Sequence, residues 1–419
     1  MTAVKKIWST GWRVAVGAVL LLWIFHSIFV NEAREQSKCK DPAQCAPLVD
    51  RGQTIDYAQW QTLARTEQWR LGWTYGPPAL GQTLQSVHPG ALALSFLLMG
   101  GTLLIGVLRW RMVLHVQGFQ LPFGRAAEIS LVAHFFNSFL LGTVGGDVMK
   151  AYCAARETHH KKTEAVMTVF MDRVIGLWSM LVFATIMLVP NLRLFERLGL
   201  RRAFLRIFSE PAAGFSEFFH IVSKEPIVTA TAILLGMTLV STGFVFLAFR
   251  GGVSKRWSGA RDWLRRLPKG DAIERSLESC RKFGQERSFF IRALALSMLL
   301  NFLCVLQFWV LSRGLNMNVP LLALSLVVPT VICLAALPIA PSGLGVREYL
   351  FVQLLSAAVA GVDPTSALSL SLLAFAGSLF WSLVGGAVYA MFKHKHHLDD
   401  FRDEVEEGES SKLQDPSSR

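Results

Sequence analysis

The chain has 419 residues, 52% of them hydrophobic and 17% charged, with a formal net charge of +12. A soluble chain would carry about 25% charged residues, so a water-soluble globular protein is excluded. Apolar runs near the roughly 17–25 residues of a bilayer crossing recur along it. They are continuous rather than alternating, which excludes a β-barrel and predicts an all-α, polytopic helical membrane bundle.

In chain order, Val14–Val30 comes first, behind a basic start at Lys5, Lys6 and Arg13. The run is span-length and "NEAREQ" after it offers no small-residue cleavage site, so residues 1–30 are expected as a retained signal anchor. Residues 31–89 are expected as an extracytoplasmic loop. Trp60, Trp69, Trp73 and Tyr75 within it suit a small cap packed on the bundle, and Cys39 and Cys45 are spaced so that a disulfide is permitted. Residues 90–392 are expected as the transmembrane domain, with spans at Gly90–Leu108, Val174–Pro190, Ile227–Phe249, Phe289–Leu311 and Ser366–Phe392. Three shorter or broken segments, Ile129–Leu141, Val319–Ala340 and Leu344–Gly361, bring the expected total to about seven to nine hydrophobic segments. Residues 250–292 form a basic connection with two short amphipathic patterns, which fit either headgroup-layer helices or a solvated linker. Residues 393–419 are acidic and expected to be disordered, with too little apolar area to offset chain entropy.

Lys and Arg collect at Arg109 and Arg111, in 156–162, in 250–292, and at Lys393 and Lys395. All four groups fall on one side if both termini are cytoplasmic, the orientation the positive-inside rule predicts. The arginines of 191–224 disagree with it. A basic cytoplasmic face points to membrane lipids with anionic headgroups as partners rather than nucleic acid. A homo-oligomer and a lipid-modifying enzyme are further partners left open. The cysteines and histidines share no metal-ligand spacing, so no metal or other cofactor is expected.

Two places break the helical pattern. The stretch 137–152, "NSFLLGTVGGDVMKAY", leaves an apolar run for Gly142, Gly145 and Gly146, then places Asp147 and Lys150. Its flanks lie on one side by the charge count, so the segment must enter and return as a re-entrant hairpin. Backbone that leaves helical geometry at membrane depth persists only where protein or a wet cavity covers it. The second break, "PIAPSGLGVR", holds Gly343 and Gly345 and ends at Arg347, followed by Glu348. Its limbs are either two full crossings or a second hairpin mirroring the first, although no clean internal sequence repeat is visible. Asp172 and Arg173 lie within a third apolar segment, where each charge costs about 2.5–3.5 kcal/mol on insertion scales. Partners are expected among Asp147, Lys150, Arg347 and Glu348. The ten residues Gly145, Gly146, Asp147, Lys150, Asp172, Arg173, Gly343, Gly345, Arg347 and Glu348 are the candidate substrate-binding set. Internal ion pairing that only fixes the bundle is the alternative.

Three motifs, "NSFLLGTVGGDVMKAY", "AVMTVFMDRVIGL" and "PSGLGVREYL", occur in that order, each next to a span. On them the chain resembles the lysylphosphatidylglycerol synthase transmembrane, or flippase-like, family from about Gly90 to Phe392. It departs from the family pattern at Leu141, where Pro is usual, at Lys150, where Arg is usual, and at Ser342, where Gly is usual. The resemblance implies the membrane part alone, without the soluble aminoacyl transferase of fused members: a non-enzyme that binds an amphiphilic lipid and moves its headgroup across the membrane. Lys150, Arg173 and Arg347 would hold a phosphate, and Asp147, Asp172 and Glu348 would neutralise those bases or carry a proton. A transferase using a lipid-linked donor is the alternative, and 31–89 shows no acidic pair for it. A non-transporting membrane regulator is a third reading.

Overall fold

The computed structural model describes residues 22–23, 25–38, 48–50, 52–139, 145–157, 162–191, 226–250, 287–336, 345–359 and 361–413. Most of the expected first span, Cys39 and Cys45, Gly142, Gly343, and most of the connections 191–224 and 250–292 lie outside those residues. Twelve helices and one two-stranded hairpin make up the described chain.

Helix α1 covers 25–36 and so continues past the expected end of the first span. Strands β1 (Val49–Asp50) and β2 (Gln53–Thr54) pair antiparallel, and α2 (Tyr57–Thr62) follows, its first turn capped by Asp56. Helix α3 (Arg65–Gln85) lies against α1 so closely that a Cβ on Gly76 would meet Phe29 Cγ at 2.3 Å. Ala33, Leu48, Ile55, Trp60 and Leu71 form a small core of their own. What the sequence suggests as a single loop over 31–89 is therefore two helices and a hairpin, built around buried Trp60.

The remaining helices are α4 (Pro89–Val116), α5 (Phe123–Phe139), α6 (Gly145–Glu157), α7 (Lys162–Leu188), α8 (Pro226–Arg250), α9 (Arg287–Gly314), α10 (Leu321–Ala335), α11 (Val346–Ala358) and α12 (Pro364–Leu413). Among the described residues four helices are long and apolar enough to cross a membrane: Pro89–Val116, Glu164–Leu188, Ser288–Gly314 and Pro364–Met391. Only 22–50% of their most apolar windows is buried inside the protein. Their exposed positions carry Leu97, Leu104, Phe302 and Leu383, the surface that hydrocarbon requires. This is a helical membrane protein.

The helix order repeats. Lengths of 28, 17, 13 and 27 residues in α4–α7 are followed by 28, 15 and 13 in α9–α11 and by the 28-residue apolar part of α12. The packing repeats as well. Exchanging α4–α7 for α9–α12 turns the α4–α5, α4–α7, α5–α6 and α6–α7 contacts into α9–α10, α9–α12, α10–α11 and α11–α12, all of which occur. The cross-contacts α5–α12 and α7–α10 exchange in the same way, as do α4–α12 and α7–α9. Helices α4 and α9 run antiparallel: His88 N–H at the start of α4 donates to Gly314 O at the end of α9, while Arg109 further along meets Ser297. Corresponding helices thus point in opposite directions, so the repeat is inverted.

The short pairs α5–α6 and α10–α11 start from opposite ends of the bundle. Helix α5 follows the end of α4, where Arg111 bonds Leu121 O, whereas the start of α10 meets Asn191 through Leu322 O. At 1.5 Å per residue, helices of 13–17 residues reach only about 20–25 Å, short of the roughly 30 Å hydrocarbon core.

The acidic segment after Phe392, expected to be disordered, is helical through Leu413 as the continuation of α12. Extending an existing helix avoids the cost of nucleating a new one, a term that apolar area alone leaves out.

Candidate functional site

Helix α6 starts at Gly145, and Gly146 sits where α6 comes closest to α5. The Gly146 N–H donates to Asn137 Oδ1 at 2.9 Å, and a Cβ at 146 would lie 2.0 Å from Ala133 O. No side chain fits there. This contact places Asp147 and Lys150, in the first turns of α6, against α7.

Asp172 on α7 is the centre of the buried charge. Its Oδ1 accepts from Arg109 Nε at 2.8 Å and its Oδ2 from Lys150 Nζ at 3.2 Å. Arg109 also donates to Ser297 Oγ at 3.1 Å, tying in α9. The Lys150 ammonium lies 4.2 Å from the centre of the buried Trp110 ring. Arg109, Lys150 and Asp172 are 9%, 8% and 7% exposed, so two cations share one carboxylate in the interior. Gly176, one turn along α7, leaves room for the guanidinium; a Cβ there would meet Arg109 Nη2 at 2.9 Å. Desolvated charges persist only when paired and hydrogen-bonded, and this cluster satisfies both needs from four helices.

A second pair stands beside the first. Arg173 Nε donates to Asp147 at 2.7 Å, with side chains 53% and 25% exposed. From the start of α7 to Arg173 is about 16 Å at 1.5 Å per residue, so this accessible pair lies well along α7, away from its ends.

The other break is built differently. Gly345 has φ +83, a conformation that favours glycine, and its N–H donates to Glu348 Oε2 at 2.8 Å. Glu348 is fully buried and also accepts from Arg347 Nε at 2.9 Å. The Arg347 guanidinium rests 4.5 Å from the centre of the Phe375 ring. Arg173 is the twelfth residue of α7 and Phe375 the twelfth of α12, so each second limb brings its first turn to the equivalent level of the following long helix.

Four of the candidate residues, Asp147, Lys150, Asp172 and Arg173, therefore come together with Gly145 and Gly146 close by. Gly345, Arg347 and Glu348 form a separate site, and Gly343 lies outside the described residues. Two expectations change. Arg347 and Glu348 do not partner Asp172 or Arg173; adjacent on the first turn of α11, they pair with each other. Arg109, read as a flanking cytoplasmic charge because the apolar run ends at Leu108, is a buried member of the cluster because α4 continues to Val116. Hydropathy gave no signal for it, since the apolar run itself stops at Leu108. Among the described residues no three His, Cys, Asp or Glu side chains gather as a metal would require.

The profile of the lysylphosphatidylglycerol synthase TM region matches residues 68–386, which hold both short helix pairs and every paired charge of the two sites. The chain belongs to the lysylphosphatidylglycerol synthase TM family. It is also similar to a UPF0104 membrane protein of Methanothermobacter thermautotrophicus, 25% identical over 308 residues that cover 71% of this chain and 83% of that one. For this family member, the match includes most of α3, which lies before the resemblance read from the sequence.

Proposed function

We propose that this protein binds an anionic phospholipid, or a polyprenyl-phosphate-type lipid, and flips its headgroup across the cytoplasmic membrane as a transporter rather than an enzyme. The observation that carries the reading is the accessible Asp147–Arg173 pair at the tip of a helix pair too short to cross, inside an inverted repeat. Transporters of inverted-repeat design bind substrate at the repeat interface, near the bilayer midplane, on interrupted helices.

In this reading α5–α6 and α10–α11 are re-entrant hairpins entering from opposite faces. Both termini are cytoplasmic, which puts the α4–α5 and α6–α7 connections inside and the α7–α8 and α9–α10 connections outside. Arg173 is the phosphate-binding cation of the first hairpin and Arg347 that of the second. Asp147 and Glu348 occupy those cations when no headgroup is present. Lys150 and Asp172, with Arg109, supply the fixed charge behind the site instead of contacting phosphate. Gly145, Gly146 and Gly345 let the hairpin tips turn.

The test is lipid scrambling in liposomes containing the full-length protein. Arg173→Ala and Arg347→Ala are each expected to lose transport while the purified protein keeps its monodisperse elution and its helix content. Wild-type rates from both variants would overturn the assignment.

A further inference from the structure

A cavity of about 1060 Å³ opens between the end of α4, the α4–α5 connection and the start of α9, away from the Asp147–Arg173 pair. Its polar lining includes Arg111, His115 and Arg292, and among the described residues no acidic side chain lines it. Its apolar lining includes Leu108 and Leu296.

The order of these residues along the two helices decides what fits. On α4, Leu104, Leu108, Arg111 and His115 recur at helical spacing and all are exposed, apolar first and basic at the end. On the antiparallel α9, Arg292 lies near the start, followed on the same face by Leu296 and Leu299. Both helices therefore present cations at one end of the bundle and leucine surface running away from it. A soluble anion would need the cations only. The continuous leucine track adds a requirement for hydrocarbon, and positive charge beside an apolar track is complementary to an anionic lipid.

We infer that this cavity is a second lipid site, which takes an anionic phospholipid with its phosphate between Arg111, His115 and Arg292 and an acyl chain along Leu108, Leu104, Leu296 and Leu299. It rests on the lipid-handling reading above and goes beyond it by placing a loading station apart from the translocation path. The cavity and the buried cluster share a wall: Leu108 adjoins Arg109 and Leu296 adjoins Ser297, the two residues hydrogen-bonded across the α4–α9 seam. A lipid held here waits beside the helix that carries Arg109.

The experiment is native mass spectrometry of the full-length protein released from phosphatidylcholine nanodiscs that contain a minor fraction of phosphatidylglycerol. The wild type is expected to retain phosphatidylglycerol selectively. Each basic group near a membrane surface contributes about 1 kcal/mol to anionic-lipid attraction, so Arg111→Gln with Arg292→Gln should lower retention roughly thirtyfold. Arg111 also bonds Leu121 O, so Arg292→Gln alone, with an expected loss of roughly fivefold, guards against a folding artefact. Leu108→Trp, which narrows the cavity with both arginines in place, should lower retention too. Wild-type retention in all three variants overturns the inference. Displacement of the lipid by millimolar inorganic phosphate would make this a free-phosphate site and overturn the lipid assignment. Lost retention in the variants of a protein that does not scramble lipid would leave the cavity standing while the transport reading falls.

Discussion

The two halves of the bundle share one architecture and differ in charge. At the twenty-first residue of α4 stands Arg109; at the twenty-first residue of α9 stands Gln307. Both are buried beside a glycine of the following long helix, Arg109 against Gly176 and Gln307 against Gly377. Counted from the glycine that opens each second limb, Lys150 corresponds to Leu350; counted along the long helices, Asp172 corresponds to Ala374. The first half thus carries an ionic triad where the second carries amide and hydrocarbon. An inverted repeat tolerates this because backbone packing defines it, through helix lengths and glycine contacts, while each interior need only be internally satisfied.

The largest expected effect comes from unbalancing the charged half. Asp172→Ala leaves Arg109 and Lys150 buried without their carboxylate and should cost about 3–5 kcal/mol, read as a sharply lower unfolding temperature in detergent and reduced yield. A comparable loss from Ala374→Ser, a near-isosteric change at its neutral counterpart, would break the comparison. Next is Gly146→Leu, which drives a side chain against the Ala133 carbonyl. Backbone cannot yield as a side chain can, so the cost should approach the upper end of the roughly 1–3 kcal/mol of overpacking, with lost transport in liposomes. Smaller still is the Asp147–Arg173 pair, whose partial exposure limits it to about 1 kcal/mol. Asp147→Arg should lower thermal stability modestly, and adding Arg173→Asp should restore it; no restoration would show that the pair does not couple. The smallest effect belongs to Gln307→Leu. The Gln307 Nε2 is buried without a hydrogen-bond partner among the described residues, so removing the amide should change stability by less than about 1 kcal/mol, or raise it.

The long helices were legible because composition dictates them: the expected spans at Gly90, Ile227, Phe289 and Ser366 fall within α4, α8, α9 and α12, and the one at Val174 runs two residues past the end of α7. That Asp172 and Arg173 have partners was legible too, since charge inside an apolar segment needs one, but not that Asp147 and Lys150 supply them and Arg347 and Glu348 do not. Arg109 was not, because hydropathy reads the end of an apolar run as the end of a helix, whereas α4 continues two turns further. The repeat was hidden for a related reason. It resides in lengths and close approaches, and Arg109 with Gln307, or Arg173 with Phe375, share nothing that residue identity displays. The aromatics marked 31–89 as a cap, but its elements were not legible because its core needs Ala33 and Leu48 brought to Trp60 from far along the chain.

Helix α5 leans on α12, so tightly that a Cβ at Gly385 would lie 2.1 Å from Leu131 O, and α10 leans on α7 in return. Each half therefore lends an arm to its twin, and neither owns a complete interior. The ribosome must deliver α12 before α5 has its final neighbour, so the early helices wait in the bilayer, partly unclothed, until the last one arrives.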